Sequence, residues 1–367
     1  MPEIAGAGPE WLRSLRDKAA EDFYAHGLPT RKDEAWKYTG LGTLTRDEIK
    51  LATDFEVPES GVTHPSPLVE TDLQINMLDG QFLALIGTQH AGLTVLPLAD
   101  ALKSGQVELK ALLESLGGAN PKAGSTAGLV ALNSATLSPG LVIHVAAGTD
   151  AGRVSLVWSS RMGESPQLFN SRVCVILEEG AKLELLEQFE SLDVNANGSN
   201  IVFQADMAAD SILNHVRFQQ ESDETTLITR TEVSQGAASN YAYYGFDLGG
   251  GLVRHDLHAS LAGSDAISAI NGAYLLDGNR HVDNHAKVDH LAPGGFSDQY
   301  IRGVAGGSSR AEFNTAVCVH AGADETEPRQ SNGNILLSAR AEVDTKPELE
   351  IYANEVVASH GATVGQL

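Results

Sequence analysis

The residues best equipped for chemistry in this chain crowd into one stretch. Residues 281–290 read HVDNHAKVDH, which brings His281, Asp283, His285, Asp289 and His290 together, with Asp277 just upstream. Imidazoles and carboxylates are common ligands of zinc and other divalent metals, so a metal site is the first chemistry to weigh. In an extended strand, His281, Asp283 and His285 would share one face, and Val282, Asn284 and Ala286 the other. Val288 continues the second, more apolar series, so that face belongs to a core. The His/Asp face is then exposed or partly covered by a neighbouring element. Two histidines four positions apart on a strand are separated by about 13 Å. One ion cannot span them without a bulge or a neighbouring strand, although alternate positions can share an ion through Asp283. A site made of His281, Asp283 and His285 is therefore one reading. A second is structural: LVRHDLHASL sets Arg254, Asp256 and His258 at alternate positions. Strands stacked about 4.8 Å apart would join these to the His/Asp face as hydrogen-bonded rungs. Contact with a partner is the third.

Other candidates are sparser. Cys174 lies in RVCVILEE, flanked by Val173 and Val175, the setting of a buried structural thiol. In RAEFNTAVCVHAGA, Phe313, Thr315, Val317 and Val319 form one series, and Glu312, Asn314, Cys318 and His320 the other. A thiolate–imidazole pair of Cys318 and His320 is open to that second face. His360 stands directly before Gly361 in YANEVVASHGATVGQL, where backbone can approach another chain closely. Two cysteines cannot make a disulfide framework or a CxxC motif. Nor is an iron–sulfur cluster held by this chain alone expected, because such clusters usually take four thiolate or imidazole ligands. In GANPKAGSTAG, Lys122 does not follow the glycine that a P-loop requires, and neither G-x-S-x-G nor H-E-x-x-H occurs.

Composition narrows the function classes. The 367 residues carry 25 basic and 48 acidic side chains, a net charge of −23, which disfavours nucleic acid and anionic membrane surfaces as partners. No apolar run approaches the roughly 20 residues that cross a bilayer. The start, MPEIAGAGPEWLRSL, has no basic-then-apolar leader pattern, which makes the cytoplasm the expected compartment.

The elements that must position these residues fall into two textures. In residues 9–26, Trp11, Leu15, Ala19 and Phe23 recur at every fourth position and predict an amphipathic helix, ended by Gly27 and Pro29. PLADALKSGQ and VELKALLESLGG also read as helices, so residues 1–128 are expected to form a mainly helical N-terminal region. Over residues 129–367, short β-rich runs alternate with small-residue turns. Strand, tight turn and strand repeat, with second strands near residues 182, 212, 252, 280, 310 and 347. Units of about 30 to 40 residues without helices cannot bury their faces alone, whereas stacked units can. A β-helix or related solenoid is predicted, with a β-sandwich as the alternative.

Three blocks then stand out: LPTRKDEAWKYTGL, DGNRHVDNHAKVDHLAPGGFSDQY, and EPRQSNGNILLSARAEVDTKPELEIYANEVVASHGATVGQL. In order and spacing they resemble the SufB/SufD family of the SUF iron–sulfur cluster assembly scaffold, and the SufD branch in particular. The resemblance covers essentially the whole chain. It implies a right-handed parallel β-helix with a helical N-terminal region, and a non-catalytic scaffold rather than an enzyme. It implies pairing with a SufB-like paralogue, engagement of a SufC-like ATPase, and a nascent cluster at the SufB–SufD junction. The cluster would be transient and shared with the partner, with none tightly bound to the isolated chain, which could form a homodimer through the same face. The shortage of cysteine fits the SufD-like role, since a sulfur-accepting subunit needs reactive thiolates. By position, His360 becomes the candidate iron or cluster ligand, while Ala358 stands where many relatives carry a cysteine. Relatives continue past the S-H-G-A-T motif into a helical C-terminal segment that contacts the ATPase; this sequence stops at Leu367, so weak or absent ATPase binding is expected without that segment. The competing expectation is a metal-dependent enzyme on a β-helix, built on His281, Asp283 and His285.

Overall fold

A computed structural model describes residues 8–42, 44, 50–52, 65–104, 107–117, 127–161, 163 and 165–366. Alternation of apolar and polar residues makes strands, and the short turns between them send successive strands to two different sheets. The first sheet runs through β4 (Leu93–Pro97), β5 (Gly140–Val145), β7 (Gln167–Leu177), β9 (Gly198–Met207) and β11 (Thr226–Gln235). It continues through β13 (Leu252–Leu261), β15 (His281–His290) and β17 (Arg310–Val319) to β19 (Glu342–Ile351), with β1 (Lys50–Leu51) beside β7. The second sheet runs through β3 (Gln81–Gly87), β2 (Leu73–Leu78), β6 (Asp150–Ser160), β8 (Lys182–Ser191) and β10 (Ile212–Gln220). It continues through β12 (Asn240–Asp247), β14 (Ile267–Leu276), β16 (Phe296–Ala305) and β18 (Glu327–Leu336) to β20 (Ser359–Gln366). From β5 onward each neighbour in a sheet is the corresponding strand of the next coil, and every such pair is parallel. The protein is thus a parallel β-solenoid, and the sandwich alternative falls.

One apolar face per strand explains the stacking. Val282, Ala286 and Val288 of β15 point into the lumen with Ala311, Phe313, Val317 and Val319 of β17, as the alternation predicted. Turns between coils stack as closely as the strands. At Gly307 (φ +60°), a Cβ would lie 2.6 Å from the backbone nitrogen of Gly278, so this turn excludes any side chain.

The N-terminal helices cover the outside of the first sheet. α1 (Glu10–His26), α2 (Leu98–Ser104) and α3 (Val107–Gly117) bury Leu12, Leu98, Leu109 and Leu113 against Val142, Cys174 and Ile176. Because Leu141, Ile143, Val173 and Val175 face the lumen, β5 and β7 are apolar on both faces and read as unbroken hydrophobic runs. Cys174 is buried there as expected, its thiol pushed up to about 12 by desolvation. Farther along, Trp36 and Leu41, with Leu129 and Leu132 of α4 (Ala127–Ala135), lie on Leu168, Ile228 and Leu252.

The division at residue 128 needs correction. It cuts through α4, and β2, β3 and β4, which precede it, are members of the two sheets. The physical reason is the exposed edge of the first coil: β3 closes one sheet and β4 the other by antiparallel pairing, which hides backbone groups that would otherwise be open. The repeat phase is also mixed: the strands that begin near 182 and 212 lie in the second sheet, those near 252, 280 and 310 in the first, and 347 falls inside β19 rather than at its start. Gly118 and the stretch holding Lys122 lie outside the described residues.

Candidate functional site

Parallel pairing without offset aligns the outer faces of β13, β15, β17 and β19 into rows. Arg254, Asp283, Glu312 and Asp344 form one row; Asp256, His285, Asn314 and Lys346 form the next. Arg254 and Asp283 are both fully buried. The Arg254 guanidinium donates to Asp283 Oδ2, to Asp256 Oδ1 at 2.9 Å and to the carbonyl oxygen of Ala35 at 2.7 Å. Its flat face stacks 4.1 Å from the centroid of the Trp36 ring. Thr39 Oγ1 donates to Asp283 Oδ2 at 2.5 Å and lies 3.3 Å from His281 Nε2. The AWKYT segment of the N-terminal block is therefore the cover over this part of the ladder.

Electrostatics follow from that cover. Burial opposes ionisation of Asp283, but the Arg254 charge and hydrogen bonds from His285 and Thr39 outweigh it and hold the carboxyl well below the usual carboxylate range. Burial lowers His281, which favours its neutral form. Burial raises Glu312, and the Asp283 charge adds to the effect. His285 Nε2 sits 2.9 Å from Asp283 Oδ1 and 4.0 Å from Glu312 Oε1. Asp283, His285 and Glu312 thus bring ligand atoms within 4.8 Å of one another. His281 is not of that group, because strand geometry turns it to Thr39. The group borders a groove of about 580 Å³ that Tyr38 and Asp344 also line. Its Asp283 already carries a buried guanidinium, whose charge opposes a second cation at the same carboxylate.

His360 occupies the opposite kind of place. It stands on a strand, β20, in register with Gln330 of β18. All described residues of β20 are exposed, and among the described residues β20 pairs with β18 on one edge and with no strand on the other. Open space lies over Gly361. In the same terminal coil, Val357 is 69% exposed and Val364 46%, and at the end of β19 Ile351 is 43% exposed and Tyr352 64%, so the last coil leaves apolar surface uncovered. Ala358 precedes the strand and is exposed too.

A model of the SUF system FeS cluster assembly SufBD core domain matches residues 160–367, and one of the SufBD protein N-terminal region matches residues 3–60. The chain belongs to the SufBD family. The iron-sulfur cluster assembly protein SufD of Escherichia coli is 28% identical over 350 residues, covering 93% of this chain and 78% of that protein. A SufBD family protein of Synechocystis is 24% identical over 383 residues, covering 99% of this chain and 82% of its own. The chloroplastic protein ABCI7 of Arabidopsis thaliana is 28% identical over 373 residues, covering 97% and 75%. Iron–sulfur cluster assembly is the business of this family, and no helix among the described residues is long and apolar enough to cross a membrane.

The ladder between β13 and β15 was legible as alternating Arg, Asp and His. Glu312 and Asn314 were assigned to the outward series of β17 but not joined to Asp283 and His285. The signal that joins them is the offset of 29 residues from Arg254 to Asp283 to Glu312, and from Asp256 to His285 to Asn314. Cys318 and His320 also meet a third group, Asp289.

Proposed function

We propose that this SufBD family chain is a non-catalytic, SufD-like subunit of a cytoplasmic SUF scaffold. It pairs with a SufB-like paralogue through its terminal coil, and a nascent iron–sulfur cluster, the cargo of the system, forms at that junction with His360 as a ligand. Engagement of a SufC-like ATPase belongs to the same proposal. The observation that carries it is the setting of His360: an exposed imidazole on an edge strand, beside apolar side chains that a partner would cover. Edge strands invite pairing with another chain, and exposed apolar patches mark interaction surfaces. A cluster needs about four ligands, whereas Cys174 is sealed under the helices and Cys318 belongs to the first sheet. The remaining ligands must then come from the partner.

The alternative, a metal-dependent enzyme using His281, Asp283 and His285, is disfavoured by His281 facing Thr39 and by Arg254 occupying Asp283. Co-expression with a SufB-like partner tests the junction. Val357→Glu combined with Val364→Glu should abolish co-purification while the unfolding free energy of the isolated chain stays within about 0.5 kcal/mol of wild type, as for surface substitutions. Unchanged co-purification would remove the terminal coil from the interface. In the isolated chain the same double variant should abolish any homodimer, read by light scattering.

A further inference from the structure

Beyond Asp283, the outer face of the first sheet carries a second convergence of ligating groups. Asp289 of β15 stands in register with Cys318 of β17, which stands in register with Glu350 of β19. His320 follows β17 directly and, two positions from Cys318, shares its face; its Nε2 lies 3.0 Å from Asp289 Oδ1. One ligand atom from each of Asp289, Cys318 and His320 falls within 4.8 Å of the others. We propose that Asp289, Cys318 and His320 form a binding site for a thiophilic divalent cation of the zinc or ferrous class, with a fourth position open to solvent or an exogenous ligand.

Four observations support the assignment. The donor set of one sulfur, one imidazole nitrogen and one carboxylate oxygen suits borderline-soft cations and not magnesium or calcium, which prefer oxygen alone. Two of the three ligands stand on neighbouring, in-register strands, so their spacing is fixed by the sheet. The third observation is outer support. His258 Nε2 lies 2.6 Å from Asp289 Oδ2, and its Nδ1 lies 2.9 Å from Glu232 Oε2. This Glu232–His258–Asp289 chain fixes one carboxylate oxygen and leaves Oδ1 facing His320, the kind of arrangement that orients a metal-ligating carboxylate. The fourth is access: the group lines a groove of about 590 Å³ that Glu350 and Tyr352 also border. The Cys318 residue is 8% exposed, whereas the His320 side chain is 45% exposed, so an ion enters past the imidazole and meets the sulfur beneath.

The charges around the group are Arg230, Glu232, His258, Lys287, Asp289, His320 and Glu350, with Arg230 paired to the other oxygen of Glu232, Oε1. Lys287 Nζ sits 2.8 Å from Asp289 Oδ2, but its side chain is 52% exposed and free to swing into water. Without a cation, a cysteine side chain is a thiol at neutral pH, its reference pKa being about 8.5. Binding therefore forms the metal–sulfur bond, breaks the S–H bond and releases that proton to solvent, while the imidazole exchanges its hydrogen bond to Asp289 for coordination. No electron changes hands. This site stands in the first sheet, whereas His360 stands in the second, so neither proposal depends on the other.

Titration of the metal-free full chain with Co²⁺ under anaerobic conditions tests the site, because a cobalt–thiolate bond produces charge-transfer absorption in the near ultraviolet. Wild type, Cys174→Ser and His360→Ala should show that band, release one proton per bound ion, and lose the band when Zn²⁺ is added. Cys318→Ser should abolish the band. His320→Ala, at an exposed position that leaves folding intact, should weaken binding at least tenfold, and Glu232→Gln about tenfold through Asp289. A wild-type chain without the band at saturating Co²⁺, or a band that persists in Cys318→Ser, would overturn the proposal.

Discussion

The ladder at Asp283 and the edge strand at His360 hold histidines in opposite circumstances. At Asp283 the ligating side chains are dense, buried and spent on one another: Arg254 on Asp283 and Asp256, Thr39 on Asp283, His285 on Asp283. At His360 a single imidazole stands exposed on a strand whose far edge is open among the described residues. A crowd of histidines and aspartates in a solenoid thus signals how many polar groups stacked coils must satisfy under a covering segment. Availability for chemistry is read from the opposite features, isolation and exposure. The Asp289 group lies between the two extremes, partnered but open to a groove.

The contrast breaks first at Arg254. Replacing it with Met leaves Asp283 and Asp256 buried without their cation, and should cost about 3–5 kcal/mol, measured by urea unfolding of the isolated chain. A loss under 1 kcal/mol would mean that the ladder is not a structural element.

A smaller effect should come with acid. His290, fully buried with Nε2 2.8 Å from Ser297 Oγ, has its pKa lowered by burial to about 4. The unfolded chain takes up its proton near the ordinary value of about 6.5, and the folded chain does so only near 4. The neutral form's contribution is therefore complete above the unfolded value and is lost as pH falls toward the folded one. Asp283, also depressed in the folded state, adds its loss at still lower pH. Unfolding midpoints between pH 7 and 4 should fall in wild type and fall less steeply in His290→Gln. Equal slopes would remove His290 from the account.

The smallest effect belongs to the opposite end of the comparison. His360→Ala should change stability by no more than about 0.5 kcal/mol, the range of surface substitutions. Thermal unfolding of the isolated chain checks this, and a larger loss would give His360 a structural duty on β20.

Much of this contrast was readable from residues alone. Alternation in HVDNHAKVDH gave the inward face of Val282, Ala286 and Val288, and alternation in LVRHDLHASL gave the ladder partners, because period-two patterning survives into any strand. Helix α1 was readable from its spacing. The cover over the ladder was not: Thr39 and His281 meet across 242 residues, and no local pattern encodes which segment lies on a sheet's outer face. The strands β2 to β4 were hidden because runs of 5 to 7 residues are too short to show a period. β20 was missed because SHGATVGQ has almost no apolar alternation; its strand is imposed by the coil beneath it, through pairing with β18. Asp289 with His320 was missed because the pairing needs the coil length, which fixes the register of β15 against β17.

On the proposed function, the isolated histidine, and not the crowded ones, serves the cluster. The most direct measurement is iron and acid-labile sulfide bound to the complex after anaerobic co-expression with SufB-like and SufC-like partners. Wild type, His360→Ala and the double variant His281→Ala/His285→Ala are compared at equal complex recovery. The prediction is a complex that still assembles but loses most of its iron and sulfide in His360→Ala, and keeps both in the double variant. Full loading in His360→Ala, with loading lost in the double variant, would contradict the claim and return the chemistry to HVDNHAKVDH.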